Sequence, residues 1–427
     1  MNPASRLLAF AVLAAACSRL PSGDESGQAL TSGSKITHLV VIVQENHSFD
    51  TYFGSWCQAP AGSNPSCTNG APCCEAAPTQ DPGTGRAPML LDDWENSDYS
   101  PDHTQSCELI EIDSGRMDRF IGNGTCGDQR NFALAGSAVE QYRGWAAQYS
   151  IADRYFQPVA GQSSSNDMYF ATARFMFTDN TWEPAAIGHG CSYNGNTIQF
   201  SNVTISDLLA ARGYGLAWYA EGYQAMLDAW TCPSPPDDCP SDEYFPCIYD
   251  PSDVPISYFA SSADKPAHMR DYAQLAQDLQ NGTLPSVAFI KPLTYHNEHP
   301  GYGVIISDGV KFVADTVRQI GNSRYAQNTL VLLTWDESGG YFDHVAPPPA
   351  SPVDGKPYGA RVPLLALGPF ARKGHVSHAI MEHSSIVKFI EWNWLGQTGL
   401  LGGRDAVVNN IGSMLDASAI GAAVPAN

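Results

Sequence analysis

The sequence predicts an α/β fold with a largely parallel central sheet and disulfide-stapled loop insertions. Two continuous apolar runs, "THLVVIV" and "NTLVLLTW", have the length of strands buried on both faces. Shorter runs, "SVAFIKP" and "VPLLALGP", alternate with segments of helical periodicity, as a sheet with helical crossovers requires. The two long runs both end in acids, Glu45 with Asn46 and Asp336 with Glu337. Ligands of parallel sheets gather beyond the carboxyl ends of the strands, so these residues mark the expected site.

Taken in order, residues 1–17 read as an export signal. Arg6 precedes an apolar stretch from Leu7 to Ala16, with small residues before Cys17. The stretch is short for a membrane span, and no later run approaches the roughly 20 apolar residues one needs. Its end resembles a bacterial lipoprotein signal in which Cys17 would be lipidated and tether the chain to a membrane. Ala14 stands where a larger aliphatic is usual, so ordinary cleavage after Ala14–Ala16 is the alternative. The expected location is periplasmic, outer-membrane lipoprotein or secreted. Residues 18–35 read as a Ser/Gly-rich tether and 36–420 as one folded domain.

Leaving Cys17 aside, ten cysteines remain between residues 57 and 247, an even number suited to bridges in an exported chain. They fall in Gly/Pro/Ser-rich insertions near 55–130 and 190–256, and their spacing leaves the pairing open. A zinc reading is weaker, because no histidine pair follows at finger-like spacing. Helical stripes follow: "VEQYRGWAAQYS"; "HMRDYAQLAQDLQNG" with Met269, Tyr272, Leu275 and Leu279 before Gly282; "SDGVKFVADTVRQI"; and "HSSIVKFIEWNW". With 44 acidic against 23 basic residues, the chain carries no broad footprint for a phosphate backbone, which excludes nucleic acid as the main partner.

A lone acid after a strand is usually a turn former or cap. Two such ends in one chain point further, to oxygen ligands for one divalent ion, whether Mg, Mn, Ca or Zn. Glu298 and Asp343 stand as additional candidate ligands. In "PVAGQSSSNDMYF", Ser163 follows Gly161 at the start of a helix expected from about Asn166. Free N–H groups there would face an anion, and a metal would activate the hydroxyl. Ordinary capping by Ser164 or Ser165 is the competing account of that segment. His103, His296, His299, His344, His378 and His383 lie in loops near predicted strand ends and are candidate proton donors.

At these residues the chain resembles the bacterial and fungal phosphoesterases that include phosphatidylcholine-hydrolysing phospholipase C and related acid phosphatases. "ENHSFDTYFG" is similar to that family's E-N-R-S-F-D-x-Y-F-G, "GRMDRF" to G-x-M-D-x-F, and "TWDESGGYFDHVAPP" to Y-D-E-x-G-G-x-x-D-H-V-x-P-P. "YGARVPLLALGP", "EHSSIVKFIE" and "GGRDAVVNN" match later segments in the family's order. The resemblance implies an alkaline-phosphatase-like three-layer α/β/α sandwich. It implies a metal held by Glu45, Asn46, Ser163, Asp336 and Glu337, a Ser163 nucleophile, and His103, His296, His299 and His344 around the phosphate. His47 replaces the usual Arg, and "GQSSSN" replaces G-P-T-x-P-N, so Ser163 stands for a threonine.

The expected activity is metal-dependent phosphoester hydrolysis through a phosphoseryl intermediate, by an acid phosphatase-like phosphomonoesterase. The alternative is a phospholipase C acting on phosphatidylcholine-type diesters, with Trp56, Trp94, Tyr99, Trp145, Trp218 and Tyr219 caging a choline-like cation. The expected partner is a small phosphate ester or a phospholipid headgroup. "DESGG" looks like the G-D-S-G-G of trypsin-like proteases, but that fold is all-β and the A-A-H-C histidine setting is missing. A cysteine-stapled binding lipoprotein with a structural calcium site is the non-enzymatic alternative. It leaves the gathering of acids, serine and histidines unexplained.

Overall fold

The runs that read as buried strands pair with one another in register. In the computed structural model, which describes residues 32–426 except 179, 181–183, 192–196, 230–231 and 241–245, eight strands form one sheet. They are β1 His38–Gln44, β2 Ser150–Ala152, β3 Leu216–Ala220, β4 Met269–Asp271, β5 Val287–Lys291, β6 Thr329–Trp335, β7 Leu364–Leu367 and β8 His375–Ser377. Their order across the sheet is β8-β2-β7-β6-β1-β5-β3-β4. All neighbours are parallel except β7, which runs antiparallel to both β6 and β2. The expected export signal, with Cys17, and most of the expected 18–35 tether lie outside the described residues.

β1 and β6 occupy the middle of the sheet and are buried on both faces, which explains why they read as unbroken apolar runs instead of alternating ones. Leu39, Val41, Leu332 and Leu333 have no exposed surface. Truncating any of them to alanine should cost about 2–5 kcal/mol, because a close-packed centre relaxes little around a cavity.

Around the sheet pack α1 Phe49–Phe53, α2 Gln105–Ile112, α3 Glu140–Gln148, α4 Ser163–Thr172, α5 Gln274–Asn281, α6 Ile306–Gly321 and α7 His383–Ile390. The stripe read as one helix over 268–281 is divided. Met269 belongs to β4, which pairs with β3 as Trp218↔Met269, and only Gln274–Asn281 is helical. Edge pairing overrides helix propensity there. Gly282 closes α5 at φ 82, the left-handed conformation a C-terminal glycine supplies. The helix expected from about Asn166 begins earlier, at Ser163.

All ten cysteines pair, as Cys57–Cys74, Cys67–Cys73, Cys107–Cys126, Cys191–Cys232 and Cys239–Cys247. Four bridges close loops of 6 to 19 residues, whereas Cys191–Cys232 spans 41 residues and encloses β3. Among the described residues no helix is long and apolar enough to cross a membrane.

Candidate active site

Register assembles the site. β1 pairs with β6 from His38↔Thr329 to Gln44↔Trp335, so the next residues, Glu45 and Asp336, leave adjacent strand ends together. The Asp336 N–H donates to the Gln44 carbonyl at 3.1 Å, and Asp336 Oδ1 accepts from the backbone N–H of Asn46 at 3.1 Å. Asn46 sits at φ 65, uncommon outside glycine, in a tight turn that directs its amide inward. Gly339, at φ 68, makes that turn possible: a Cβ there would lie 2.2 Å from the Asn46 carbonyl oxygen.

Ser163 opens α4 from the other side. Its Oγ donates to Asn46 Oδ1 at 3.4 Å. Gln162 precedes it as a cap whose side chain makes no hydrogen bond to the first turn, so neither Ser164 nor Ser165 is the cap. The positive end of the α4 dipole opens toward the Asn46 turn, an environment that favours an anion. Gly161, at φ 109, approaches Gln105 so closely that a Cβ would meet its backbone nitrogen at 2.9 Å. That approach lets the Gly161 N–H donate to Glu108 Oε2 at 2.7 Å.

Five buried acids, Glu45, Glu108, Asp167, Asp336 and Glu337, lie within electrostatic reach of one another. Burial pushes Asp336 up to about 7, with Glu45 adding to the rise and Lys291 opposing it. Burial likewise pushes Glu108 up to about 8 and, with the charges of Glu108 and Asp336, raises Glu337 well above the carboxylate range. Acids crowded in this way resist losing their protons unless a cation joins them.

The donor set suits a hard divalent cation. Asp336 Oδ2 and Glu337 Oε1 are buried without a hydrogen-bond partner of good geometry. The Ser163 hydroxyl and the Glu108 carboxyl are near enough only to bias their protonation. Carboxylate, amide and hydroxyl oxygens from Glu45, Asn46, Ser163, Asp336 and Glu337 are the ligand types such an ion takes.

Of the four expected histidines, the structure brings two to this cluster. His103 Nε2 lies 3.4 Å from Asn46 Nδ2 and 3.9 Å from Glu337 Oε1, and the His299 ring packs edge-on to His103 with centroids 5.8 Å apart. Each Nδ1 faces a backbone carbonyl, Pro101 at 2.9 Å and Pro300 at 2.7 Å. A carbonyl only accepts, so Nδ1 carries the proton and Nε2 is left as the exchanging atom. Burial lowers both imidazoles, His299 to about 4, so both are neutral in the free protein.

His296 and His344 are placed elsewhere. His296 Nδ1 pairs with Glu221 at 2.9 Å. His344 Nδ1 lies 2.6 Å from Asp50, in a buried network where Arg361 joins Asp50 at 2.9 Å and Asp343 at 2.8 Å. Asp343 therefore already has its cation in Arg361. Glu298 is likewise not a free ligand: Tyr52, Trp335, Gln44 and Tyr142 all donate to its carboxylate. His47 is packed between Tyr52 and Tyr341 and kept neutral by burial, so it offers no replacement for the arginine of the family signature. The six aromatics considered as a cage do not gather, since Trp94 is 73% exposed while Trp218 stacks on Phe289 in the core.

Three residues at the candidate site, Glu108, Lys291 and Asp167, escaped the sequence reading. Lys291, ending β5, lies 2.6 Å from Glu45 Oε1 and 3.4 Å from Asp167 Oδ2. Its signal was a lysine closing an apolar strand, "SVAFIKP". Asp167 stands one helical turn after Ser163, where it reads as ordinary helix polarity. His383, expected as a proton donor, instead donates from Nε2 to the Asp336 carbonyl at 2.6 Å and accepts from the Tyr155 hydroxyl at 2.7 Å, which fixes the backbone of the acid pair.

The chain is 24% identical over 414 residues to the non-hemolytic phospholipase C of Burkholderia pseudomallei, covering 83% of this chain and 55% of that protein. It is 24% identical over 435 residues to phospholipase C B of Mycobacterium tuberculosis, covering 90% and 78%. To the non-specific phospholipase C1 of Arabidopsis thaliana it is 23% identical over 427 residues, covering 87% and 69%. It thus spans little more than half the length of the Burkholderia relative. Among solved structures it is similar to a protein of the alkaline phosphatase superfamily from Vibrio parahaemolyticus, with a TM-score of 0.39, 10% identity and coverage of 88% and 72%. Residues 36–395 match the model of the Phosphoesterase family, and the chain belongs to that family.

Proposed function

We propose that this protein hydrolyses phosphoesters, with Ser163 as nucleophile and one divalent ion held by Glu45, Asn46, Ser163, Asp336 and Glu337. The observation that carries the reading is the meeting of the Ser163 hydroxyl with Asn46 at the ends of β1 and β6, beside buried carboxylate oxygens that lack partners. A bound ion would lower the pKa of the serine hydroxyl and offset charge on the phosphoryl oxygens.

The chain's own groups supply the rest. The open N-terminus of α4 directs N–H groups at the phosphoryl oxygens. Ser163 Oγ forms a bond to phosphorus as the ester P–O bond breaks in line, and the serine proton passes to a neutral imidazole Nε2. The resting imidazoles are neutral. A phosphate anion against Nε2 of His103 or His299 raises that nitrogen's basicity, so it carries a proton to give the departing alcohol oxygen. Water then attacks the phosphoserine and releases phosphate or a phosphorylated headgroup. His296 and His344 have structural roles in this scheme.

Charge favours a diester over the expected monoester. Among the described residues Lys291 is the lysine or arginine that pairs with the site's carboxylates, and no arginine does so. A dianionic monoester would meet an excess of acid, whereas a monoanionic diester asks for less positive charge. The names of the relatives, phospholipases C, support the same choice. The test is parallel turnover of nitrophenyl phosphate and nitrophenyl phosphorylcholine, with and without chelator. Preferred, chelator-sensitive cleavage of the second is expected. Preference for the first returns the assignment to a phosphomonoesterase, and chelator-insensitive activity removes the metal.

A further inference from the structure

The hydrolytic scheme leaves Lys291 and Asp167 without a task, yet both are buried at its centre. Lys291 is 3% exposed, and its ammonium lies between Glu45 Oε1 at 2.6 Å and Asp167 Oδ2 at 3.4 Å. Asp167 has no exposed surface, and its second oxygen, Oδ1, has no hydrogen-bond partner. A buried carboxylate with half its acceptor capacity unclaimed is unfavourable unless a cation balances it. Because it follows Ser163 by four residues, Asp167 lies on the same face of α4 as the serine.

Glu45 and Asp167, on different elements, thus hold an ammonium where two carboxylates would otherwise offer a divalent ion its ligands. An ammonium carries one positive charge and fixed donors, and it repels any second cation brought among the same oxygens. We propose that Lys291 is a built-in stand-in for a second metal ion: its ammonium neutralises Glu45 and Asp167 together and limits the acid cluster to a single divalent ion. The inference rests on the metal reading above. Asp167 is then a positioning residue for Lys291 and never a ligand of the wild-type ion.

Metal-stripped protein dialysed against Mn²⁺, with bound metal counted by mass spectrometry, tests the idea directly. Wild type should take up one ion per chain and Lys291→Ala two. In a second measurement without metal, Lys291→Met should lower Tm, and adding Asp167→Asn should recover most of the loss, because the acid left uncompensated is removed. A Lys291→Ala protein that still binds one ion with unchanged affinity overturns this inference and leaves the single-ion site standing. A wild type that binds none overturns both. Should Lys291→Ala fail to fold, the Tm pair decides, and absence of rescue by Asp167→Asn overturns the proposal.

Discussion

Ser163 Oγ donates to Asn46 Oδ1 at 3.4 Å across 117 residues of chain. The contact joins the start of α4 to the end of β1, and it places the proposed nucleophile beside the residue whose N–H fixes Asp336. Ser163→Ala should lower turnover at least about 10³-fold, in the range seen when a covalent nucleophile is removed. Tm should change by little, since one long hydrogen bond contributes about 1 kcal/mol or less. Ser164→Ala, one position on, should keep activity within a few-fold. Activity surviving in Ser163→Ala but not in Ser164→Ala would move the nucleophile to the neighbouring serine.

Gly339 is expected to be as sensitive as a ligand although it holds nothing. Any side chain there clashes with the Asn46 carbonyl and forces a positive-φ turn onto a β-carbon. Gly339→Ala should weaken Mn²⁺ binding by at least about tenfold, the scale on which supports of ligating groups act. Titration calorimetry would measure it. Unchanged affinity would mean that the Asn46 turn does not set the site.

The Asp50–His344 pair makes a pH prediction. Burial works to raise Asp50, but His344 and Arg361 overcome it and hold the carboxyl below its ordinary value. Burial works to lower His344, but Asp50 overcomes it and holds the imidazole above its ordinary value. The histidine's contribution is therefore complete below its unfolded value of 6.5 and lost as pH rises through the raised folded value. The aspartate's is present above its unfolded value of 3.8 and lost as pH falls through the depressed folded value. Both hold together in mildly acidic buffer, so Tm should peak there and decline as pH rises past neutrality. Asp50→Asn should cost on the order of 3–5 kcal/mol and flatten that decline. Calorimetry across the range checks it, and a wild-type Tm that is flat from acid to alkaline buffer contradicts it.

Cys107–Cys126 closes 19 residues next to Glu108 on α2. Replacing both cysteines with serine should remove about 3 kcal/mol through the freed loop. It should also lower activity, because Glu108 holds the Gly161 N–H at the approach to Ser163. Loss of stability with wild-type turnover would separate the bridge from the site.

Much of the candidate site was legible because its residues follow uninterrupted strands. Glu45, Asn46, Asp336 and Glu337 come directly after β1 and β6, and Ser163 follows a glycine at a helix start. His344 was misplaced for the opposite reason. Its motif lies close in sequence to Asp336, but Arg361 and Asp50 draw the ring into a separate network. Lys291 and Asp167 each read as a single polar residue in an ordinary element, and only their pairing gives them meaning.

By itself the sequence determined the alternating α/β order, the buried strands, the even set of cysteines and the acids at the strand ends, since those follow from local periodicity and spacing. The tertiary structure alone decided which histidines meet the acids, where a lysine stands among them and how the cysteines pair. The bridges join residues 6 to 41 positions apart within their own segments, whereas the first two outcomes depend on the in-register pairing of β1 with β5 and β6 and on the docking of α4 against those strand ends. Such contacts join residues more than a hundred positions apart, and no local pattern encodes them.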